Sequence, residues 1–229
     1  MPEWRFGSNG QFDPPVDRFL FERYFFERYF AGSKRPGVFV ECGAFDGETE
    51  SSCKFFEESL GWWGINVEPS PPVFERLVQN RPNSININAA LASEAGEAIF
   101  TGIIHPEFGE QCTNGSLCHV PAHRAYIEQH GWQTKTYTVP TITWGELVAS
   151  NELHSVDLLV LDIEGTELDV IAGMRGSPVL PRVFCVEHGH LGIGVVRQAV
   201  EPLGYRYDAS RDVNSYFVRL STWRRLLSG

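Results

Sequence analysis

No run in this 229-residue chain approaches the ~20 consecutive apolar residues that a membrane span requires. The opening MPEWRFGSNG also lacks the charged-then-apolar layout of a secretory signal. The chain therefore reads as a cytoplasmic protein with no membrane span. Basic charge is scarce: 19 Lys and Arg stand against 29 Asp and Glu, a formal net charge of -10. Docking nucleic-acid backbone takes a basic stripe, so no nucleic-acid partner is expected. The five cysteines, Cys42, Cys53, Cys112, Cys118 and Cys185, include no CxxC pair, which fits reduced thiols. Cys112 and Cys118 with His119 and His123 crowd one loop at a spacing foreign to structural zinc sites, and they read as unconnected loop residues. Neither GxGxxG nor GxxxxGK[ST] occurs, so neither a pyrophosphate cradle nor a nucleoside triphosphate site is supported.

What is present is an ordinary globular composition, 42% hydrophobic and 21% charged, with sixteen Phe and six Trp. The length fits one domain with decorations. PPVDRFLFERYFFERYFA, residues 14–31, opens on prolines and reads as one aromatic-rich helix. It belongs to an N-terminal extension, 1–36, ahead of a main domain, 37–229. VFVEC is a short buried strand that breaks into GAFDG before a helix. WWGINVE and PPVFERLVQN repeat the strand–helix pattern. SININAAL reads as a third strand, EAIFTG as a fourth and KTYTVPT as an extended segment before a short helix, TWGELVAS. VDLLVLD, a helix from about Thr166 to Gly173, RVFCVE, the helix VVRQAVEPLG and two closing strands, YRYDA and NSYFVRL, complete the order. The alternation predicts an α/β fold, a mostly parallel sheet covered by helices on both faces. Residues 101–135 lack strong periodicity and read as an inserted substrate lid, with a disordered loop as the alternative.

In a doubly wound sheet, ligands sit beyond the carboxyl ends of the strands, where strand order reverses. There the sequence places Glu41 at the end of the first strand and a loop in which Gly43 and Gly47 permit close backbone approach. The second strand ends at Glu68, an acid able to accept both hydroxyls of a ribose diol. A glycine loop not built for phosphate plus a ribose-binding acid suits a nucleoside without phosphates. S-Adenosylmethionine is such a nucleoside, and its sulfonium and ammonium charges would favour Glu41 and Asp46. The bland alternative makes Gly43 and Gly47 a turn and Glu68 a solvated strand end.

These segments resemble the FkbM family of S-adenosylmethionine-dependent methyltransferases. VFVECGAFDGET, INVEPSPPVFERL, INAALASEAGEAIF, VPTITWGEL, VDLLVLDIEGTELDVIAGM and VFCVEHGH occur in the family's order over roughly Val38 to Leu220. The resemblance implies a class I methyltransferase sheet, Rossmann-like and seven-stranded, with O-methylation of a sugar, glycan or natural-product hydroxyl as the usual chemistry. By position it implies cofactor contacts from Glu41, Gly43, Ala44 and Gly47, with Glu68 on the ribose, Ser70 beside it, and Asn88 and Ala89 near the adenine. Asp162 would face both cofactor and acceptor. Phe45 stands where many members carry asparagine, so the methionine-end contacts of that loop are where this chain departs.

A carboxylate with a pKa near ~4.3 is too weak to deprotonate an alcohol whose pKa resembles water's ~15.7. A divalent ion could close the gap. Asp162 after one strand and Glu187 with His188 after its neighbour are the candidate ligands and catalytic groups, suited to Mg2+ or Mn2+. The metal-free alternative takes His188 or His190 as the base. Glu164 is either a helix-start acid or an acceptor contact, while Glu167 and Asp169 read as solvated helix positions. The acceptor would be a small molecule or glycan, and a homo-oligomer is left open. Competing readings are a non-catalytic module on the same fold and a methyltransferase for another small-molecule nucleophile.

Overall fold

Prolines 14 and 15 cannot continue a helix backwards, so the chain enters α1 (Val16–Leu20) from an extended Pro15. A π-helical turn, Phe21–Phe25, leads on into α2 (Phe26–Phe30). Leu20, Phe21 and Phe25 are buried on one side, so the aromatic segment is a single helical stretch as expected. Its expected end at Ala31 lies outside the residues that this computed structural model describes, which are 4–7, 12–30, 35–107, 109–110 and 112–221.

All five residues of β1 (Val38–Cys42) are buried, the mark of a strand covered on both faces. After the glycine loop come α3 (Lys54–Leu60), β2 (Trp63–Val67), α4 (Pro71–Asn80) and β3 (Ile85–Ile87). The next elements are β4 (Ala90–Ala92), β5 (Gly96–Ile104), α5 (Pro121–His130), β6 (Gln133–Thr143) and α6 (Trp144–Ser150). A capping box between Thr143 and Glu146 fixes the start of α6. The chain closes with β7 (Leu158–Leu161), α7 (Glu167–Gly173), β8 (Val183–Glu187), α8 (Ile193–Val200), β9 (Tyr205–Arg211) and β10 (Asn214–Arg219).

Seven strands form the main sheet in the order β3-β2-β1-β7-β8-β10-β9. Neighbours from β3 to β8 run parallel, and β10 is antiparallel to both β8 and β9. Strand order reverses between β1 and β7, which opens a crevice beyond their carboxyl ends. Side-chain alternation assigns the faces. Val38, Val40 and Cys42 pack with Trp144, Val170 and Val196 from α6, α7 and α8. Phe39, on the opposite face, joins Leu20, Phe21 and Phe25 of the N-terminal helix together with Phe56 and Trp62.

The segment SININAAL is not one strand. β3 joins β2, whereas β4 pairs with β6 in a separate three-stranded sheet, β4-β6-β5. The break falls at Asn88, whose side-chain amide donates to the carbonyls of Glu68 (2.8 Å) and Pro69 (3.2 Å) and turns the chain away. EAIFTG and KTYTVPT also leave the main sheet, pairing antiparallel with each other from Gly96 opposite Thr141 to Ile104 opposite Gln133. Residues 101–104 and 133–135 of the expected lid are thus ladder, and α5 lies between them.

Candidate active site

The crevice contains a cavity of about 290 Å³ bounded by the glycine loop, the ends of β2 and β7, and residues 112–115 of the insertion. Gly43 and Ala44 both donate their N–H to the Val67 carbonyl, at 3.1 and 3.2 Å, folding the loop onto the end of β2. Gly43 has φ +77° and lies so close to β7 that a Cβ would sit 1.7 Å from the Asp162 carbonyl oxygen. Only glycine meets both demands.

Glu68 lines the cavity and is 6% exposed. Its two carboxylate oxygens accept from the N–H groups of Phe45 (3.0 Å) and Ser70 (2.8 Å). Burial outweighs these donors and pushes its pKa up to about 7. Each oxygen retains a lone pair, so the carboxylate is both anchored and able to accept a vicinal diol. Ala89, Leu91 and Val73 form an apolar wall nearby, and Ser70 lines the same space. These features fit S-adenosylmethionine: a diol acceptor, an apolar slot, and acids for its positive end.

Other expected cofactor residues serve the loop itself. Asp46 accepts from the N–H groups of Glu48 (3.0 Å) and Thr49 (2.7 Å) and pairs with Arg76 at 2.9 Å, away from the cavity wall. Gly47 has φ +72°, and a Cβ there would meet Arg81. Glu41 touches the cavity, yet its carboxylate accepts from Ser51 Oγ (2.8 Å) and Ser52 N–H (2.6 Å), and burial raises its pKa. Asn88 holds the backbone of Glu68, leaving Ala89 as the residue that reaches the cavity.

Register places the ends of β7 and β8 side by side, and the side chains of Asp162 and Glu187 meet there through a hydrogen bond. Burial and neighbouring acids raise both pKa values, so the pair holds a proton near neutrality. His188 is not brought to them: its Nδ1 lies 3.0 Å from Ser215 Oγ, and burial lowers its pKa. Asp162 and Glu187 remain as two carboxylates without a third protein ligand among the described residues, so the trio expected for Mg2+ or Mn2+ does not close as a set.

Glu167 is a correction to the sequence reading. It is 1% exposed, not solvated, and its carboxylate accepts from the N–H groups of Ile163 (3.0 Å) and Gly165 (3.1 Å). It thereby satisfies the turn that leads from β7 into α7. That frees Glu164, which has φ +62°, to aim elsewhere. Glu164 Oε2 lies 3.1 Å from His190 Nε2 and 3.6 Å from His123 Nδ1. Burial and the nearby acids, Asp162 foremost, push the Glu164 pKa up to about 8, and burial with His190 and His119 lowers that of His123 to about 4. His123, which in sequence looks like an unconnected loop residue, thus sits in a grouping with Glu164 and His190. Nothing in the sequence marks this grouping, because its members come from three distant segments.

Strand order, the glycine loop and the acid at the end of the second strand define the class: a class I methyltransferase fold. A profile of the methyltransferase FkbM domain matches residues 41–207, and the chain belongs to that family. It is 28% identical over 112 residues to the hexuronic acid methyltransferase AglP of Haloferax volcanii, a stretch covering 48% of this chain and 40% of that protein. Among solved structures it is similar to the methyltransferase FkbM of Methylobacillus flagellatus, with a TM-score of 0.50 and 13% identity over 89% of this chain and 48% of that one. The chain thus spans less than half the length of either relative.

Proposed function

We propose that the chain is an S-adenosylmethionine-dependent O-methyltransferase whose acceptor is an uncharged hydroxyl of a sugar, glycan or related natural product. The observation that carries this reading is a single cavity containing both Glu68, held by two backbone N–H groups, and the proton-sharing pair of Asp162 and Glu187. Similarity to a hexuronic acid methyltransferase supports a sugar acceptor. The cavity wall argues for a neutral one. Among its described residues it carries the acids Glu41, Glu50, Glu68, Asp162, Glu164 and Glu187 and no Lys or Arg, so no basic side chain there would pair with an acceptor carboxylate. Five cysteines without a disulfide support a reducing compartment, and we place the protein in the cytoplasm.

The cofactor, when bound, supplies a methyl group on a sulfonium. Glu68 would accept the ribose diol, Ala89 and the start of β4 would cover the base, and Asp162 would stand beside the positive end. Asp162 also serves as base. It takes the acceptor's hydroxyl proton as the new O–C bond forms and the S–C bond breaks, so the cofactor leaves as a neutral thioether. Its burial makes it a stronger base than a free carboxylate, and Glu187 fixes its orientation. Titration calorimetry with S-adenosylmethionine, followed by methyl transfer to a panel of neutral glycosides and uronates, tests the reading. Cofactor binding and preference for neutral glycosides are expected, and Asp162→Asn should abolish turnover while the protein stays folded. No cofactor binding at millimolar concentration would sink the enzyme reading, and preference for uronates would sink the neutral acceptor.

A further inference from the structure

Three side chains that the methyl-transfer chemistry does not use converge at the rim of the cavity. His123 comes from α5 inside the insertion, Glu164 from the turn after β7, and His190 from the loop after β8. One ligand atom from each lies within 4.8 Å of the other two, the one group of three His, Cys, Asp or Glu among the described residues that meets this condition. The imidazole rings of His123 and His190 stand with centroids 3.9 Å apart. His123 Nδ1 is buried and has no hydrogen-bond partner among the described residues, an expensive state for a nitrogen lone pair.

We propose that His123, Glu164 and His190 form a binding site for a divalent transition-metal ion of the zinc class. Two imidazole nitrogens and one carboxylate oxygen are the donors that borderline ions prefer, whereas Mg2+ and Ca2+ favour all-oxygen sets. Three protein ligands leave a coordination position open to water or a substrate oxygen. An ion here would occupy the space between two close imidazoles and one carboxylate, and would give His123 Nδ1 the partner it lacks. Cys112 and Cys118 take no part, and His119 is engaged elsewhere, its Nε2 lying 2.7 Å from the Asn114 carbonyl. The topology gives the site a consequence. His123 rides on the insertion while Glu164 and His190 sit on the edge of the main sheet, so the ion would tie the insertion down. Glu164 also lines the cavity, which places the ion on its wall.

The test reads metal binding alone and does not depend on the acceptor or on methyl transfer. The chelator-stripped 229-residue chain is titrated with Zn2+ by calorimetry and with Co2+ by visible absorption, which reports a tetrahedral nitrogen and oxygen environment. One equivalent should bind. His123→Ala and His190→Ala should each weaken binding by more than the ~10–100-fold that loss of an outer-shell partner costs, and Cys118→Ala should leave it unchanged. Circular dichroism confirms that each variant is folded, and His123→Asn carries the same expectation if His123→Ala is not. Failure of Zn2+ and Co2+ to bind saturably at millimolar concentration would overturn the site. So would undiminished affinity in both histidine variants, or binding lost in Asp162→Asn but kept in His123→Ala, which would place the ion at the strand ends.

Discussion

Glu68 concentrates the cofactor question in one side chain, because both its oxygens are held by backbone N–H groups that cannot swing away. Replacing it with alanine removes a charge-assisted acceptor pair without touching Gly43 or Ala44. Glu68→Ala should weaken S-adenosylmethionine binding by about 1.5–3 kcal/mol, read by calorimetry, and unchanged affinity would remove Glu68 from the ribose. The same burial makes a second prediction. Glu68 titrates near 7 in the fold against an ordinary 4.5, so the folded state keeps a proton that the unfolded chain releases. The stability this contributes is present below the ordinary pKa and is lost as pH rises towards 7. Relative to Glu68→Gln, the ligand-free protein should therefore lose up to about 1.4 kcal/mol per pH unit across that window. Urea denaturation at a series of pH values measures the difference, and parallel profiles for the two proteins would contradict it.

At the scale of elements, the turn from β7 into α7 shows what sequence can and cannot carry. VFVEC, VDLLVLD and VFCVE are legible as strands because burial on both faces leaves nearly uniform apolar runs. Gly43 and Glu68 are legible because a doubly wound sheet assigns meaning to the ends of its first two strands. SININAAL is misleading because Asn88 sits inside what reads as one continuous strand and acts through its side chain. Glu167 is misleading too: an acid in the first turn of a helix looks the same in sequence whether it faces water or folds back beneath a turn. Folded back, it satisfies Ile163 and Gly165 N–H groups that have few other partners. Glu167→Ala should cost about 1.5–3 kcal/mol, or roughly 3–12 °C in Tm. A melting temperature within a degree of wild type would show that water replaces the carboxylate. The grouping of His123, Glu164 and His190 is a tertiary product of three segments, and no local spacing announces it.

For the whole molecule, the charge balance and the cavity wall point the same way. A net charge of -10 sets up a negative field around the protein, and the cavity wall, with six acids and no Lys or Arg among its described residues, adds no positive side chain to offset it where an acceptor enters. The field favours the positive end of the cofactor and works against any acceptor carrying a carboxylate. Salt separates the two kinds of acceptor, because raising ionic strength from 0.01 M to 0.15 M shortens the Debye length from ~30 Å to ~8 Å. For a uronate, that screening should lower KM, since it weakens repulsion between like charges. For a neutral glycoside the acceptor KM should stay flat across the same range, with the cofactor kept saturating so that its own salt dependence does not enter. Steady-state kinetics with a matched pair, a glycoside and the uronate made by oxidising its primary alcohol, gives both curves in one experiment. A flat response for both would mean that the acids are neutralised in the working enzyme. A lower KM for the uronate at every salt concentration would mean that a positive group recognises its carboxylate, and the acceptor assignment would move to anionic sugars.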